Sequence, residues 1–466
     1  MEALIMAGQL ILGLSILVGL HELGHLIAAK VFGMRVEQYS IGFPPKIFGF
    51  KYGETEYSLG AVPLGGFVKI SGMVDESLDT DKLAEEPKPW EFRSKPAWQR
   101  LIVMMGGIIV NVVTGIIIFI ALLYTYGDDY LPATEAKNGI VAHKLAQEVG
   151  LKTGDKILKI NGKSFNDYHE ISGKEIMFTK DSYYTVQRND STFDVSIPNN
   201  LIGSVNKRKG EYIDPLPVTT FAVDTILPPS KPDFFERIGL SEAKDTVPAF
   251  KAGLKTGDKI ISVNGAPINF YHEFQDVINQ NVNKEVSLKI ERQMGGEAQI
   301  VTASLKVLPR EKDKPEKGGY IGIIPKFPLD WQHIDYSLEM AVQQGPVDAF
   351  DIIIDNIKAF GKIFSGDVGA SESLSGPIGI AQIFGGTWVW ERFWYITGVL
   401  SMILAFMNFL PIPALDGGHV MFLMYEIVSG RSPSDKFLEV AQKVGMVILL
   451  SLMVFAIAND TFKLFQ

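Results

Sequence analysis

Five residues near the start of the chain, His21-Glu22-Leu23-Gly24-His25, have the types and spacing of a metallopeptidase centre. On a helix, positions i and i+4 share a face, so His21 and His25 can aim two imidazoles at one metal ion. Glu22, one residue along, is placed to act as a base on a water held there, which is the zinc-peptidase arrangement. A bare H-E-x-x-H also arises by chance, and an apolar helix can carry two satisfied histidines. The flanking sequence argues for chemistry: Leu4 to Leu20 contains no charge, so the motif lies inside what reads as a membrane span. Two histidines and a glutamate are costly in hydrocarbon, and ionisable residues there are functional by default.

A catalytic zinc site uses three protein ligands and one open position, so two histidines are one ligand short. The best candidate for the third lies in Asn408-Phe409-Leu410-Pro411-Ile412-Pro413-Ala414-Leu415-Asp416-Gly417-Gly418-His419. Asp416 follows an apolar segment broken by two prolines. The break frees backbone groups and can aim the carboxylate between helices. Two alternatives stand beside this reading: Asp416 as the N-cap of a helix over Val420–Val428, and His419 as the ligand in its place.

These residues need elements to carry them. Four segments, approximately Ala3–Val31, Leu101–Tyr126, Phe393–Leu410 and Val444–Ala458, are long and apolar enough to suggest membrane spans. The N-terminus lacks a basic region and a cleavage site, so the first is expected to be a retained span. Lys30, Arg35, Lys46 and Lys51 follow it, and Lys88, Arg93, Lys95 and Arg100 precede the second. The positive-inside rule therefore puts that connection in the cytoplasm, both chain ends outside, and the long segment up to about Arg392 outside. His25 and Asp416 then both fall at cytoplasmic ends of their spans.

Composition narrows the classes. Net charge is −9, which argues against nucleic-acid binding. There is no cysteine, which excludes a disulfide, a Cys-based zinc site and a thiol nucleophile. Residues 51–70 are rich in glycine, proline and β-formers and predict a hairpin or loop. It is either an ordinary surface hairpin or a re-entrant element beside the active site, since non-helical backbone survives at membrane depth only when buried in protein. Residues 75–90 are acidic and contain prolines, and read as a flexible linker.

The outer segment contains a repeat. Gly150-Leu-Lys-Thr-Gly-Asp-Lys-Ile-Leu-Lys-Ile-Asn-Gly162 returns as Gly253-Leu-Lys-Thr-Gly-Asp-Lys-Ile-Ile-Ser-Val-Asn-Gly265, and the same offset carries Tyr168-His169-Glu170 onto Tyr271-His272-Glu273. Each copy predicts a turn, a strand, a tight Asn-Gly turn and a helix. His169 and His272, at the starts of those helices, read as structural. From Val347, apolar residues fall at Phe350, Ile353, Ile354, Ile357, Phe360, Ile363 and Phe364, which is helical spacing. That helix is expected on a membrane surface or packed under the repeated units.

The two repeat copies resemble the PDZ family, whose members bind extended peptides along a sheet edge. Whether these copies bind peptide ligands or only pack and gate is open. His21-Glu22-Leu23-Gly24-His25, with Asn408 through His419, resembles the site-2 protease family (peptidase M50). The paired PDZ-like units resemble its RseP-like, sigma-E-regulating branch. Pro63-Leu64-Gly65-Gly66, Phe92 to Arg100, Asn111 and Ser375 to Ala381 are similar to that branch too. One departure is Gly42-Phe43-Pro44-Pro45, where the family often has glycine at the third position.

The resemblance implies a multi-pass α-helical membrane protein with four transmembrane helices, a membrane-associated β-hairpin and two inserted α+β PDZ domains. Residues 1–126 would hold the first two spans and the hairpin, 127–225 and 226–310 the PDZ domains, 311–390 an amphipathic connector, and 391–466 the last two spans. It implies one Zn2+ held by His21, His25 and Asp416, with Glu22 as general base and Asn408 touching substrate or transition state. Hairpin residues Leu59, Val62, Gly65 and Gly66 would pair with an unwound substrate. The implied activity is an intramembrane zinc metalloendopeptidase of the bacterial inner membrane. It would act on single-span proteins such as a pre-cleaved anti-sigma factor and remnant signal peptides, among membrane lipid. The competing class is a membrane-anchored PDZ scaffold without proteolysis; Glu22 argues against it, because a structural metal site has no use for a base.

Overall fold

The computed structural model describes residues 2–73, 86–207, 212–227, 247–311, 314–369, 371 and 375–464. The expected linker at 75–90 falls outside these up to residue 85. The chain forms two compact units, one built from residues 1–128 and 333–466 and the other from 129–332.

The first unit is helical around one sheet. Helix α1 is Glu2–Val31 and helix α2 is Ala97–Tyr126. Their backbones touch: a Cβ added to Gly24 would lie 2.2 Å from the Gly106 carbonyl oxygen. Only glycine permits such an approach. Helix α2 ends at Gly127, whose φ of 68° and N–H hydrogen bond to the Leu123 carbonyl close its last turn.

Between α1 and α2 runs a hairpin, β1 (Val36–Tyr52) and β2 (Thr55–Ile70). It begins well before the expected 51–70, which covers the turn and second strand alone. Gly42, Pro44, Pro45 and Gly49 in β1 mask its alternation. Both strands are long and bent, so β2 meets β1 twice. Ile41 pairs with Gly66 on one side and Leu59 on the other, and Phe50 pairs with Tyr57. The order across the element is therefore 66–70, 36–41, 55–59, 46–52. Tyr39 donates from its hydroxyl to the Gly19 carbonyl at 2.8 Å and fastens the sheet to α1.

Helix α3 (Leu338–Phe364) starts earlier than its apolar spacing from Val347 predicts. Ser337 caps it by accepting from the Met340 amide, and Pro346 lies inside it. It packs on other helices: Ala349 is buried with Phe119 and Met402, and the Phe360 ring lies 5.7 Å from that of Phe406. One face of the helix is thus packed within the helical unit, while Phe350, Ile354, Ile357 and Phe364 stay exposed. Helix α4 is Pro377–Phe384 and α5 is Trp390–Phe409, which ends just before Pro411 because proline cannot continue the hydrogen-bond ladder. Helices α6 (Asp416–Ser429) and α7 (Asp435–Leu464) follow. Among the described residues, α1, α2, α5 and Lys436–Lys463 of α7 are long and apolar enough to cross a membrane.

The second unit holds two hydrophobic cores. One gathers Leu131, Ile140, Ile160, Tyr168, Tyr184 and Tyr212; the other gathers Phe221, Val223, Ile260, Phe274, Leu288 and Ile321. The second core takes in Phe221 and reaches Ile321. Strands Ala222–Ile226 and Ile323–Lys326 pair with each other within it. A boundary at 225/226 and a connector beginning at 311 therefore cut through this module, because its strand pairing joins segments far apart in sequence.

The repeated sequence makes repeated structure. Asn161 and Asn264 take φ of 48° and 51°, followed by Gly162 and Gly265 at 76° and 82°, as a tight Asn-Gly hairpin turn requires. Asp155 and Asp258 accept from the amides of Lys152 and Lys255, each at 2.7 Å, and each holds an arginine, Arg188 or Arg292. The helices differ between copies. Tyr271–Gln280 is continuous, whereas the first copy breaks at Gly173 into Tyr168–Ser172 and Lys174–Phe178.

Candidate active site

Helix α1 presents His21 and His25 on one face, as their spacing requires. Their rings lie edge to face with centroids 4.9 Å apart, and their Nε2 atoms are 3.3 Å apart. Asp416 opens α6 and projects Oδ2 to 3.1 Å from Nε2 of His21 and 3.4 Å from Nε2 of His25. Among the described residues these three form a group whose donor atoms could hold one metal ion. Asp416 does not cap its helix: Leu415 occupies the N-cap position and no side-chain cap bond forms. His419, the alternative ligand, lines the same cavity but stands outside the group.

The loop between α5 and α6 is held by close backbone contact. A Cβ on Gly417 would lie 2.2 Å from the Leu410 carbonyl oxygen, so the turn that delivers Asp416 closes only with glycine there. Ala414 takes a positive φ of 80° within it. Asn408, in the last turn of α5, places Nδ2 3.4 Å from Nε2 of His21.

Helix α2 surrounds the histidines from the other side. Nδ1 of His25 lies 2.8 Å from the Val103 carbonyl and donates to it, which leaves the Nε2 lone pair directed at Asp416. Nδ2 of Asn111 lies 3.2 Å from Nδ1 of His21. A Cβ on Gly107 would lie 2.4 Å from Nε2 of His25, so this glycine makes room for the imidazoles. Sequence reasoning gave Gly107 and Val103 no role, and quoted Asn111 only for its resemblance. The usable signal was a Gly-x-x-x-Asn turn, with a lone amide, in an otherwise apolar helix.

The site opens into a cavity of about 600 Å3 lined by Glu22, Asn408, Asp416 and the edge of the hairpin, including Gly65 and Gly66. The backbone at Gly66 passes so close to α1 that a Cβ there would lie 3.2 Å from Cγ of Glu22. Leu59 and Val62 are elsewhere: both are largely exposed, paired within the hairpin with Ile41 and Phe43, and neither lines the cavity.

The model of peptidase family M50 matches residues 9–452. The chain belongs to peptidase family M50. Relatives align along almost its entire length. The regulator of sigma E protease of Haemophilus influenzae is 30% identical, over 98% of this chain and 98% of that one. The regulator of sigma-E protease RseP of Escherichia coli is 28% identical, over 97% and 98%. A Vibrio cholerae relative, provisionally named a zinc metalloprotease, is 29% identical, over 97% and 98%.

As an M50 peptidase this membrane protein is a zinc metalloprotease, and its donor set fits that ion. Two imidazole nitrogens and a carboxylate oxygen are a zinc peptidase's usual ligands. Asp416 Oδ2 is buried without a hydrogen-bond donor, a costly state for a carboxylate unless a cation shares the pocket.

Proposed function

We propose that this M50 peptidase cuts within or beside the membrane-spanning segment of single-span proteins, with His21, His25 and Asp416 holding zinc and Glu22 as general base. The observation that carries this is one cavity containing all four side chains together with the hairpin edge at Gly65 and Gly66, between helices apolar enough to cross a membrane.

Bound zinc supplies Lewis acidity toward the scissile carbonyl and lowers the pKa of a water toward neutrality. Glu22 takes the proton of the attacking water and passes it to the leaving nitrogen. The Asn408 amide, beside His21, donates to the oxygen on which charge develops. A helical substrate hides its carbonyls in its own hydrogen bonds and must unwind first. The backbone of 65–70, at the cavity side of the hairpin, offers the unwound stretch a strand to join.

The names of the relatives support a sigma-E-related, regulatory context; we read an anti-sigma factor already trimmed outside as one substrate and remnant signal peptides as a second class. The lysines and arginines near the helix ends support an inner-membrane protein with the catalytic centre toward the cytoplasm and residues 129–332 outside. The two repeated modules are read as PDZ domains that screen substrates by size or bind peptide. The test is cleavage of a pre-trimmed single-span substrate by purified wild type and by Glu22→Gln, with zinc determined in both. Cutting by wild type alone, at equal zinc, upholds the reading. Equal cutting by both removes Glu22 as base, and no cutting by zinc-loaded wild type removes this substrate class.

A further inference from the structure

We propose that Asn111 is a positioning residue for the metal centre: its side-chain carbonyl accepts from Nδ1 of His21 and so fixes which nitrogen of that ring faces the metal. This rests on the ligand set proposed above.

The argument begins with the two histidines' far nitrogens. His25 is settled by the backbone, because Nδ1 faces the Val103 carbonyl at 2.8 Å and must carry the proton. His21 needs an equivalent. Its Nε2 faces Asp416 at 3.1 Å and the Nε2 of His25 at 3.3 Å, so Nε2 is the atom turned toward the metal. A neutral imidazole that uses Nε2 as a ligand holds its proton on Nδ1, and that N–H requires an acceptor. The group beside Nδ1 is the Asn111 amide, 3.2 Å away, in the place that the Val103 carbonyl takes for His25.

Asn111 is completely buried, and its Oδ1 has no hydrogen-bond donor. An unpartnered amide oxygen in an apolar helix is expensive. A half-turn about χ2 exchanges amide oxygen and nitrogen, which brings Oδ1 to the Nδ1–H of His21 and relieves the unpartnered oxygen. The backbone at this point is itself anchored: Ser401 of α5, also fully buried, donates from Oγ to the Asn111 carbonyl at 2.8 Å. Helix α2 thus supplies no ligand yet orients both ligand rings, one by a main-chain carbonyl and one by a side chain.

The test is the zinc dissociation constant of the full-length protein, measured by chelator competition for wild type, Asn111→Asp, Asn111→Leu and His21→Ala. The thermal midpoint of each metal-free protein is measured alongside. Aspartate keeps an acceptor at the same reach, whereas leucine keeps the volume and loses it. Asn111→Leu should lose about 10- to 100-fold in affinity, the usual cost of removing a ligand's hydrogen-bond partner, while Asn111→Asp retains most of it and the metal-free midpoints stay together. Wild-type affinity in Asn111→Leu overturns the proposal, as does an equal loss in Asn111→Asp. A loss in Asn111→Leu matched by a fall in its metal-free midpoint assigns the residue to packing and also overturns it. The ligand set is judged separately. If His21→Ala binds zinc like wild type, that set falls and this inference with it; if His21→Ala loses zinc while Asn111→Leu does not, this inference alone falls.

Discussion

Nε2 of His21 and Oδ2 of Asp416 lie 3.1 Å apart, although they come from opposite ends of the chain. The contact makes the centre a product of the whole helical unit: α1 brings the histidines, and the α5–α6 loop brings the carboxylate. Removing the carboxylate and removing the proposed base should therefore have different consequences. Asp416→Ala is expected to lose zinc and activity together. Glu22→Gln is expected to keep zinc and lose roughly 100- to 10,000-fold in rate, the range for a general base. Metal analysis beside cleavage rate checks both, and zinc loss in Glu22→Gln would remove the division of roles.

A second prediction concerns Gly107. In an exposed helix interior, Gly→Ala stabilises by about 1 kcal/mol. At Gly107 the new methyl would meet Nε2 of His25 at 2.4 Å and Cε1 of His21 at 2.5 Å, neither of which can withdraw without leaving the metal position. Gly107→Ala should therefore lower zinc affinity and activity. Gly361→Ala on α3, with nothing within 4 Å, is the control and should raise the unfolding midpoint slightly. Full activity in Gly107→Ala would show that the rings tolerate displacement.

How much of this was readable beforehand follows from how local each signal is. The histidine pair needs only the helical period, and the Asn-Gly turns need only positive φ, so both were legible in short stretches. Asp416 was legible as a candidate because two prolines break the apolar segment before it. The first hairpin strand was not, since Gly42, Pro44, Pro45 and Gly49 hide a strand whose pairing partners are supplied by β2. Nor were Gly107 and Val103, because their roles are set by what α1 places opposite them. The second module's limits were missed for the same reason: Val223 joins a core with Ile321 from far along the chain.

The duplicated Arg–Asp pairs give a third prediction. Asp258 is fully buried, and Arg292, 13% exposed, donates to both its oxygens; Arg188, 27% exposed, does the same for Asp155. Removing one partner of a buried pair strands the other charge, at about 3–5 kcal/mol. Arg292→Ala should approach that range and Arg188→Ala should cost less, because water reaches its pair more readily. Denaturant unfolding of the full-length variants, followed by proteolysis at residues 129–332, checks the order. A larger loss for Arg188→Ala would contradict it.

The first core of residues 129–332 predicts an alkaline limit. Tyr184 is fully buried, donates its hydroxyl to the Ile171 carbonyl, and lies with its Oη 3.4 Å from that of Tyr212. Burial pushes the Tyr212 hydroxyl up to about 12 and Tyr184 well above its ordinary 10.0. The folded state therefore holds these protons more tightly than the unfolded chain, which releases them near 10. Their contribution is fully present below pH 10, and that of Tyr212 is lost as pH rises through about 12. Alkaline titration of the full-length protein should thus show tyrosinate absorbance from this pair only as the module's near-UV circular dichroism is lost. Tyr212→Phe should remove part of that absorbance. Ionisation of both tyrosines near pH 10 with the dichroism intact would mean that neither hydroxyl is shielded by the core.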